Sequence, residues 1–229
     1  MKLLVIRHAE SLRNVIMKGK AFYYEDETKL DLPVFDIPLT DIGIQQAHTL
    51  AESLYLQTKE GNLTPPDHVL SSGLLRADTT AEIVLGQLSK LARDTTLKER
   101  LLQLQIRYNH LLRERDPGYG FEMTEQESHN HFPYLRDHWK REGRWSATPP
   151  GGESLVRVMD RSILFLTTLQ NDPRYKDATV YAFSHGGFMM ATRMVVQGIS
   201  IRKTDSIMNP VNCHIDSYTN ENGFWEILQ

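Results

Sequence analysis

Leu3-Leu4-Val5-Ile6-Arg7-His8-Ala9-Glu10-Ser11 is an apolar run that stops abruptly in an arginine, a histidine and, two residues on, a glutamate. Four consecutive apolar residues without polar alternation predict a short strand buried on both faces, as in the parallel sheet of an α/β protein. In such sheets the side chains just past the carboxyl ends of the strands face the ligand crevice. Arg7 and His8 there would combine a fixed cation with a nucleophile or proton carrier. A strand that simply reaches water also ends in charge, so the weight of this stretch depends on what else arrives at the same edge.

Composition sets the outer limits. The chain has 229 residues, 40% hydrophobic and 24% charged, with a formal net charge of -3. That length buries a substantial core, and one domain over 1–229 is the simplest organisation. The charge argues against a general nucleic-acid binder while leaving room for a local cationic pocket. A lone cysteine, Cys213, fits a reducing compartment, and no signal peptide or membrane-length run is visible. A cytoplasmic protein without membrane partners is expected.

Outward from the first strand, Asn14 to Pro38 carries no firm periodicity and reads as a surface excursion near the crevice. Thr40 is the predicted N-cap of a helix with Ala47, Leu50, Ala51 and Leu54 on its apolar stripe. His68-Val69-Leu70-Ser71 reads as a second strand and Gly73 to Leu91 as a helix with Leu75, Thr79, Ala81 and Ile83 inward. Residues 97–148 are polar and mostly helical, and are expected as a cap inserted over the crevice. A long helix starts near Glu153-Ser154 after the breaker Pro149-Pro150-Gly151-Gly152. Ala178 to Ser184 is a strand, Gly186 to Val196 a helix, and the end reads as two strands turning at Asn222-Gly223. Alternating strands and helices imply parallel βαβ units.

Two further strand ends carry chemistry. Ser72 and Gly73 are expected to open a helix whose free N–H groups favour an anion, with Arg76 one turn in. Ala182-Phe183-Ser184-His185-Gly186-Gly187 again ends a strand in a histidine followed by a glycine that lets backbone approach a ligand. Parallel strand ends share one edge. Two arginines and two imidazoles meeting there make a site for a dianion, with phosphate the natural candidate.

R-H-x-E-S at the first strand, S-S-x-x-x-R-A-x-x-T after the second and S-H-G-G late in the chain resemble the histidine phosphatase (phosphoglycerate mutase-like) superfamily. Asp36-Ile37-Pro38-Leu39-Thr40 with Gly43 and Gln46, and Pro150-Gly151-Gly152-Glu153-Ser154, are similar to further signatures. The resemblance implies a three-layer α/β/α sandwich with a mostly parallel sheet. It also implies phosphorylation of His8, with Arg7, Arg76, His185 and Asn14 holding the phosphoryl group and Gly186 lining the site. The reaction it implies is hydrolysis of a small phosphorylated metabolite, with no metal and no cofactor. Covalent catalysis in a cationic cradle follows, because neighbouring cations favour the neutral imidazole that attacks phosphorus.

The leaving oxygen needs a proton, so a carboxyl is required. Glu99 and Glu114 both stand in the expected cap. Glu114 is preferred because Leu112 to Gly118 is similar to the corresponding stretch of fructose bisphosphatases and broad phosphatases of the superfamily, although Pro117 departs from it. A mutase acting on phosphoglycerates is the alternative within the family; an idle phospho-ligand binder of the same fold is another. Outside it stands a serine hydrolase built on Ser184, Asp205 and His214. Glu153 is expected to orient a cradle residue, Cys213 to be small and buried, and His129, His131 and His138 to serve the cap surface. Selectivity is expected from residues 18–33 and 103–145, where Tyr23, Tyr24, Tyr108, Tyr119, Phe121 and Trp145 could stack on a substrate or pack.

Overall fold

The computed structural model describes residues 1–18, 32–120, 123 and 125–228. Strands β1 (Lys2–Arg7), β2 (His68–Ser71), β3 (Ile106–Tyr108), β4 (Thr179–Ser184), β5 (Ile215–Glu221) and β6 (Phe224–Leu228) form one sheet in the order β3-β2-β4-β1-β5-β6. The first four are mutually parallel; β5 and β6 are antiparallel additions. Asn222 and Gly223, both at positive φ, close the β5–β6 hairpin at the predicted turn.

Unbroken apolar runs in β1 and β4 are explained by the two helical layers that cover the sheet. Leu3, Val5, Val180 and Ala182 point into a core shared with Val158, Phe165 and Leu169 of α7 (Leu155–Asn171) and Phe188 and Met189 of α8 (Gly186–Gln197). Leu4, Ile6, Tyr181 and Phe183 point the other way, against Leu50 and Leu54 of α2 (Asp41–Lys59) and Ala81, Val84 and Leu88 of α3 (Leu75–Leu91). Each fully buried aliphatic chain contributes about 1.5–3 kcal/mol. The protein is thus a three-layer α/β/α sandwich. Thr40 caps α2 as predicted, its Oγ1 accepting from Gly43 N at 2.9 Å.

Four expectations are corrected. The stretch from Asn14 is not irregular at its start: α1 (Leu12–Lys18) carries Asn14, and its periodicity is hidden because the helix is too short to show a stripe. The helix predicted from Gly73 begins at Leu75, since Gly73 at φ +81 turns the chain out of β2. Its inward face is Arg76, Ala77, Thr80, Ala81, Val84, Leu85 and Leu88, so of the four residues expected inside only Ala81 is buried. An arginine on the inner face defeats a reading that phases the helix by hydrophobicity.

The segment expected to open the cap at 97 belongs largely to the sandwich. Leu101 of α4 (Thr95–Gln103) joins the α3 core, and β3 pairs Ile106, Arg107 and Tyr108 with Val69, Leu70 and Ser71. Three residues at a sheet edge, two of them exposed, carry no strand pattern to read. The helices α5 (Glu125–His131) and α6 (Leu135–Ser146) follow it. Trp145 is core, packed with Leu155, Met190, Met194 and Ile207, and does not face a substrate. Tyr23, Tyr24 and Phe121 lie outside the described residues. Among the described residues no helix is long and apolar enough to cross a membrane.

Candidate active site

The ladders align Arg7 with Ser184 and Ser71 with Phe183, so the carboxyl ends of β1, β2 and β4 finish at one level. His8 follows β1 and donates its backbone N–H to Ser184 O at 2.9 Å. Its ring is 2% exposed, and Nδ1 lies 2.7 Å from the carbonyl of Ala9. A carbonyl only accepts, so Nδ1 carries the proton and Nε2 keeps its lone pair. His185 immediately precedes α8, is fully buried, and stands 5.0 Å from His8 between ring centroids at a tilt of 57°. Its Nε2 meets Ser72 Oγ at 2.8 Å, while Nδ1 has no partner among the described residues.

Guanidinium groups surround the two rings. Arg76, 2% exposed, reaches back from α3 and donates Nη1 to Val34 O at 3.1 Å. Arg7 donates Nη1 to Pro210 O, and its buried Nε has no partner among the described residues. Burial lowers the pKa of Arg76 to about 10, with Glu114 opposing and Arg7 adding to the shift. Burial, followed by the charges of Arg76 and Arg7, holds both imidazoles well below the ordinary histidine range. Hence His8 is neutral near pH 7, with an unshared electron pair on Nε2. Arg13 on α1 adds a cation that sequence reasoning overlooked, lowered to about 10 by burial and by Arg76. Its signal was plain enough: it directly precedes Asn14.

Asn14 Oδ1 accepts from Ser11 N, Ser11 Oγ and Asn212 Nδ2, each at 3.1 Å, which assigns the carboxamide so that its NH2 end is the one not used in these bonds. Asn212 Nδ2 also donates to His8 O at 3.0 Å. The signature around Pro38 to Gln46 supports the turn after His8. Gln46 Oε1 accepts from Glu10 N, Thr40 Oγ1 donates to Glu10 Oε1, and a Cβ on Gly43 would sit 2.0 Å from Glu10 O. Gly186 is required by the close approach of a neighbour, because a Cβ there would lie 2.2 Å from Asn209 Oδ1.

The expected anion site at Ser72 and Gly73 takes another form. Asp78 Oδ1 accepts from Gly73 N at 3.2 Å, and Ser72 Oγ accepts from Leu74 N at 3.2 Å. The N–H groups of Gly73 and Leu74 are thus answered inside the protein, and this junction also brings Ser72 beside His185 and supplies Arg76.

Glu114 is brought to the same cluster by the stretch after β3. Its Oε1 accepts from Arg115 N at 2.7 Å and from Gly187 N, in the first turn of α8, at 3.0 Å. Its charge acts on Arg7, Arg13 and Arg76. Glu99 is exposed on α4. Ser184 donates Oγ to Leu112 O at 2.6 Å, and His214 bonds Asp216 at 3.1 Å, so a serine-hydrolase arrangement does not form. Cys213 is half-buried at φ 61, its thiol pushed up to about 11 by burial. His129 and His131 are exposed on α5, and His138 is half-buried on α6.

Known proteins share this frame. The chain is 27% identical over 208 residues to Phosphoglycerate mutase-like protein 4 of Arabidopsis thaliana, covering 91% of this chain and 76% of that one. It is 33% identical over 169 residues to Fructose-2,6-bisphosphatase TIGAR B of Danio rerio, 73% of this chain but about half, 52%, of the relative's length. The crystal structure of a putative alpha-ribazole-5'-P phosphatase from Escherichia coli K-12 superposes with a TM-score of 0.72 at 21% identity, covering 100% and 94% of the two chains. Residues 3–229, which contain both imidazoles and every cation of the cluster, match one family profile, and the chain belongs to the histidine phosphatase superfamily (branch 1).

Proposed function

We propose that the protein is a phosphomonoester hydrolase of small phosphorylated metabolites that works through a phosphohistidine at His8. One observation carries the reading: a neutral imidazole, its Nδ1 tied to Ala9 O, faces a cluster in which Arg7, Arg13 and Arg76 outnumber the carboxylates that act on them, Glu114 on all three and Asp116 on Arg13. A buried cationic excess, in which Arg7 Nε and His185 Nδ1 have no partner among the described residues, suits an oxyanion that bonds to them.

In the proposed cycle His8 Nε2 attacks phosphorus as the ester P–O bond breaks, and Glu114 gives the leaving oxygen its proton. Arg7, Arg76, His185 and the Asn14 amide hold the three phosphoryl oxygens. Water then attacks phospho-His8, Glu114 takes the proton it loses, and inorganic phosphate leaves. The relatives carry the names of a phosphoglycerate mutase-like protein, a fructose-2,6-bisphosphatase and an alpha-ribazole-5'-P phosphatase, all referring to small phosphorylated molecules, which supports the class. Acid quenching is unsuitable for a phosphohistidine, so turnover is stopped in alkali. An alkali-stable, acid-labile phosphoenzyme is expected in the wild type and not in His8→Ala. Normal turnover by His8→Ala would end the proposal.

A further inference from the structure

Arg161 and Glu153 form a bidentate ion pair away from the reacting atoms, Nε to Oε1 at 2.7 Å and Nη2 to Oε2 at 2.8 Å, with side chains only 12% and 10% exposed. Burial alone pushes the Glu153 carboxyl up, and the hydrogen bonds and charge of Arg161 reverse that, leaving it below its ordinary value. Replacing such a pair by apolar residues is often neutral or stabilising, so stability alone is a weak account of it.

Its remaining contacts share a destination. Arg161 Nη1 donates to Leu111 O and, at 3.2 Å, to Arg113 O. Glu153 Oε2 accepts from Asp116 N at 3.4 Å, Glu153 N donates to Asp116 O at 2.8 Å, and Glu153 O accepts from Arg115 Nε at 2.8 Å. Ser184 Oγ takes the carbonyl of Leu112. Residues 111–116 are thereby fixed at nearly every position, and the free end of that strap is the Glu114 side chain resting on Gly187 N.

We propose that Glu153 and Arg161 are positioning residues for proton transfer: the pair fixes strap 111–116 so that Glu114 Oε1 stays on the Gly187 N–H and Oε2 is presented to the leaving oxygen. The inference rests on the reading of Glu114 as the proton donor. An acid displaced by about an ångström loses roughly a hundredfold in rate, and only when the leaving group needs its proton.

The test compares an alkyl monoester, 2-glycerol phosphate, with para-nitrophenyl phosphate, whose phenolate leaves without help. Arg161→Lys keeps the charge and stem but loses the fork. It should lower kcat/KM for the alkyl ester roughly 10–100-fold while His8 phosphorylation by the nitrophenyl ester changes less than about threefold. In a Glu114→Gln background Arg161→Lys should add nothing, because the group it positions is gone. Glu153→Gln, of the same size, should behave likewise and serves if Arg161→Lys does not fold. Equal fractional losses on both esters, or losses that add to those of Glu114→Gln, would overturn the positioning role. If Glu114→Gln alone leaves the ratio between esters unchanged, the fault lies in the reading of Glu114, and the inference falls with it.

Discussion

Gly187→Ala isolates the contact between Glu114 and α8. A Cβ at 187 would lie 2.3 Å from Glu114 Oε1 and 3.3 Å from Arg115 Cβ. To regain ordinary contact the oxygen has to retreat by about 1 Å, a displacement that costs roughly 100-fold in a proton transfer. The retreat also breaks the 3.0 Å bond from Gly187 N, a charge-assisted contact of about 1.5–3 kcal/mol. Stability should move little, since alanine is favoured over glycine in a helix by about 1 kcal/mol and offsets part of the loss. The assay is kcat/KM for 2-glycerol phosphate beside the single-turnover release of nitrophenol, with a melting curve as control. A severe loss on the first and a small one on the second is expected, from a protein that melts near the wild-type temperature. Gly186→Ala is the counterpart: its Cβ meets Asn209 Oδ1 at 2.2 Å and Arg7 Nε at 3.5 Å, so both substrates should suffer. Full activity of Gly187→Ala on the alkyl ester would refute the placement of the acid.

The two buried imidazoles also predict a pH dependence of stability. His8 and His185 have folded-state pKa values well below the unfolded value of about 6.5, so only the unfolded chain takes up protons as pH first falls through that value. Their contribution is complete above it and is lost progressively below; the melting temperature should drop from pH 7 to pH 5, and His185→Asn should flatten the drop. An unchanged slope in that variant would count against the assignment. Arg76→Gln should weaken vanadate binding roughly 10–100-fold, the worth of one charge-assisted contact. By removing a charge that opposes protonation of His8, it should also move the acidic limb of the phosphorylation rate to higher pH. Vanadate affinity equal to wild type would place the ligand elsewhere.

Much of this was legible because strand ends and chemistry coincide. A run such as Leu3 to Ile6 has to be covered on both faces, which calls for a helical layer on each side and a parallel neighbour, β4, whose end shares an edge with Arg7, His8 and His185; the antiparallel pairing of β1 with β5 on its other side is not written in that run. The N-cap at Thr40 and the Asn222-Gly223 turn were readable because their side chains and φ angles answer local needs. The start and face of α3 were not, since Arg76 is buried for the sake of the site and a hydrophobic stripe cannot show that. Nor was β3, whose three residues are ordered by a neighbouring strand rather than by their own pattern. Pro210, Asn209 and Asn212 were nearly silent as well: they act on Arg7, Gly186 and His8 from some two hundred residues away or through close approach, which no spacing reveals.

The order of β1 in the sheet has a consequence for how the chain comes to its folded state. Both neighbours of β1 lie far downstream, β4 from Thr179 and β5 from Ile215, and even the turn after β1 is tied to Asn212. Closing loops of that length costs only slowly more in entropy, but such pairings are late events in folding. During synthesis Leu3 to Ile6 therefore emerges before both strands it pairs with and waits for them until most of residues 1–229 have followed. The segment that leads into His8 is, for that interval, a bare apolar strand and a natural client for a chaperone.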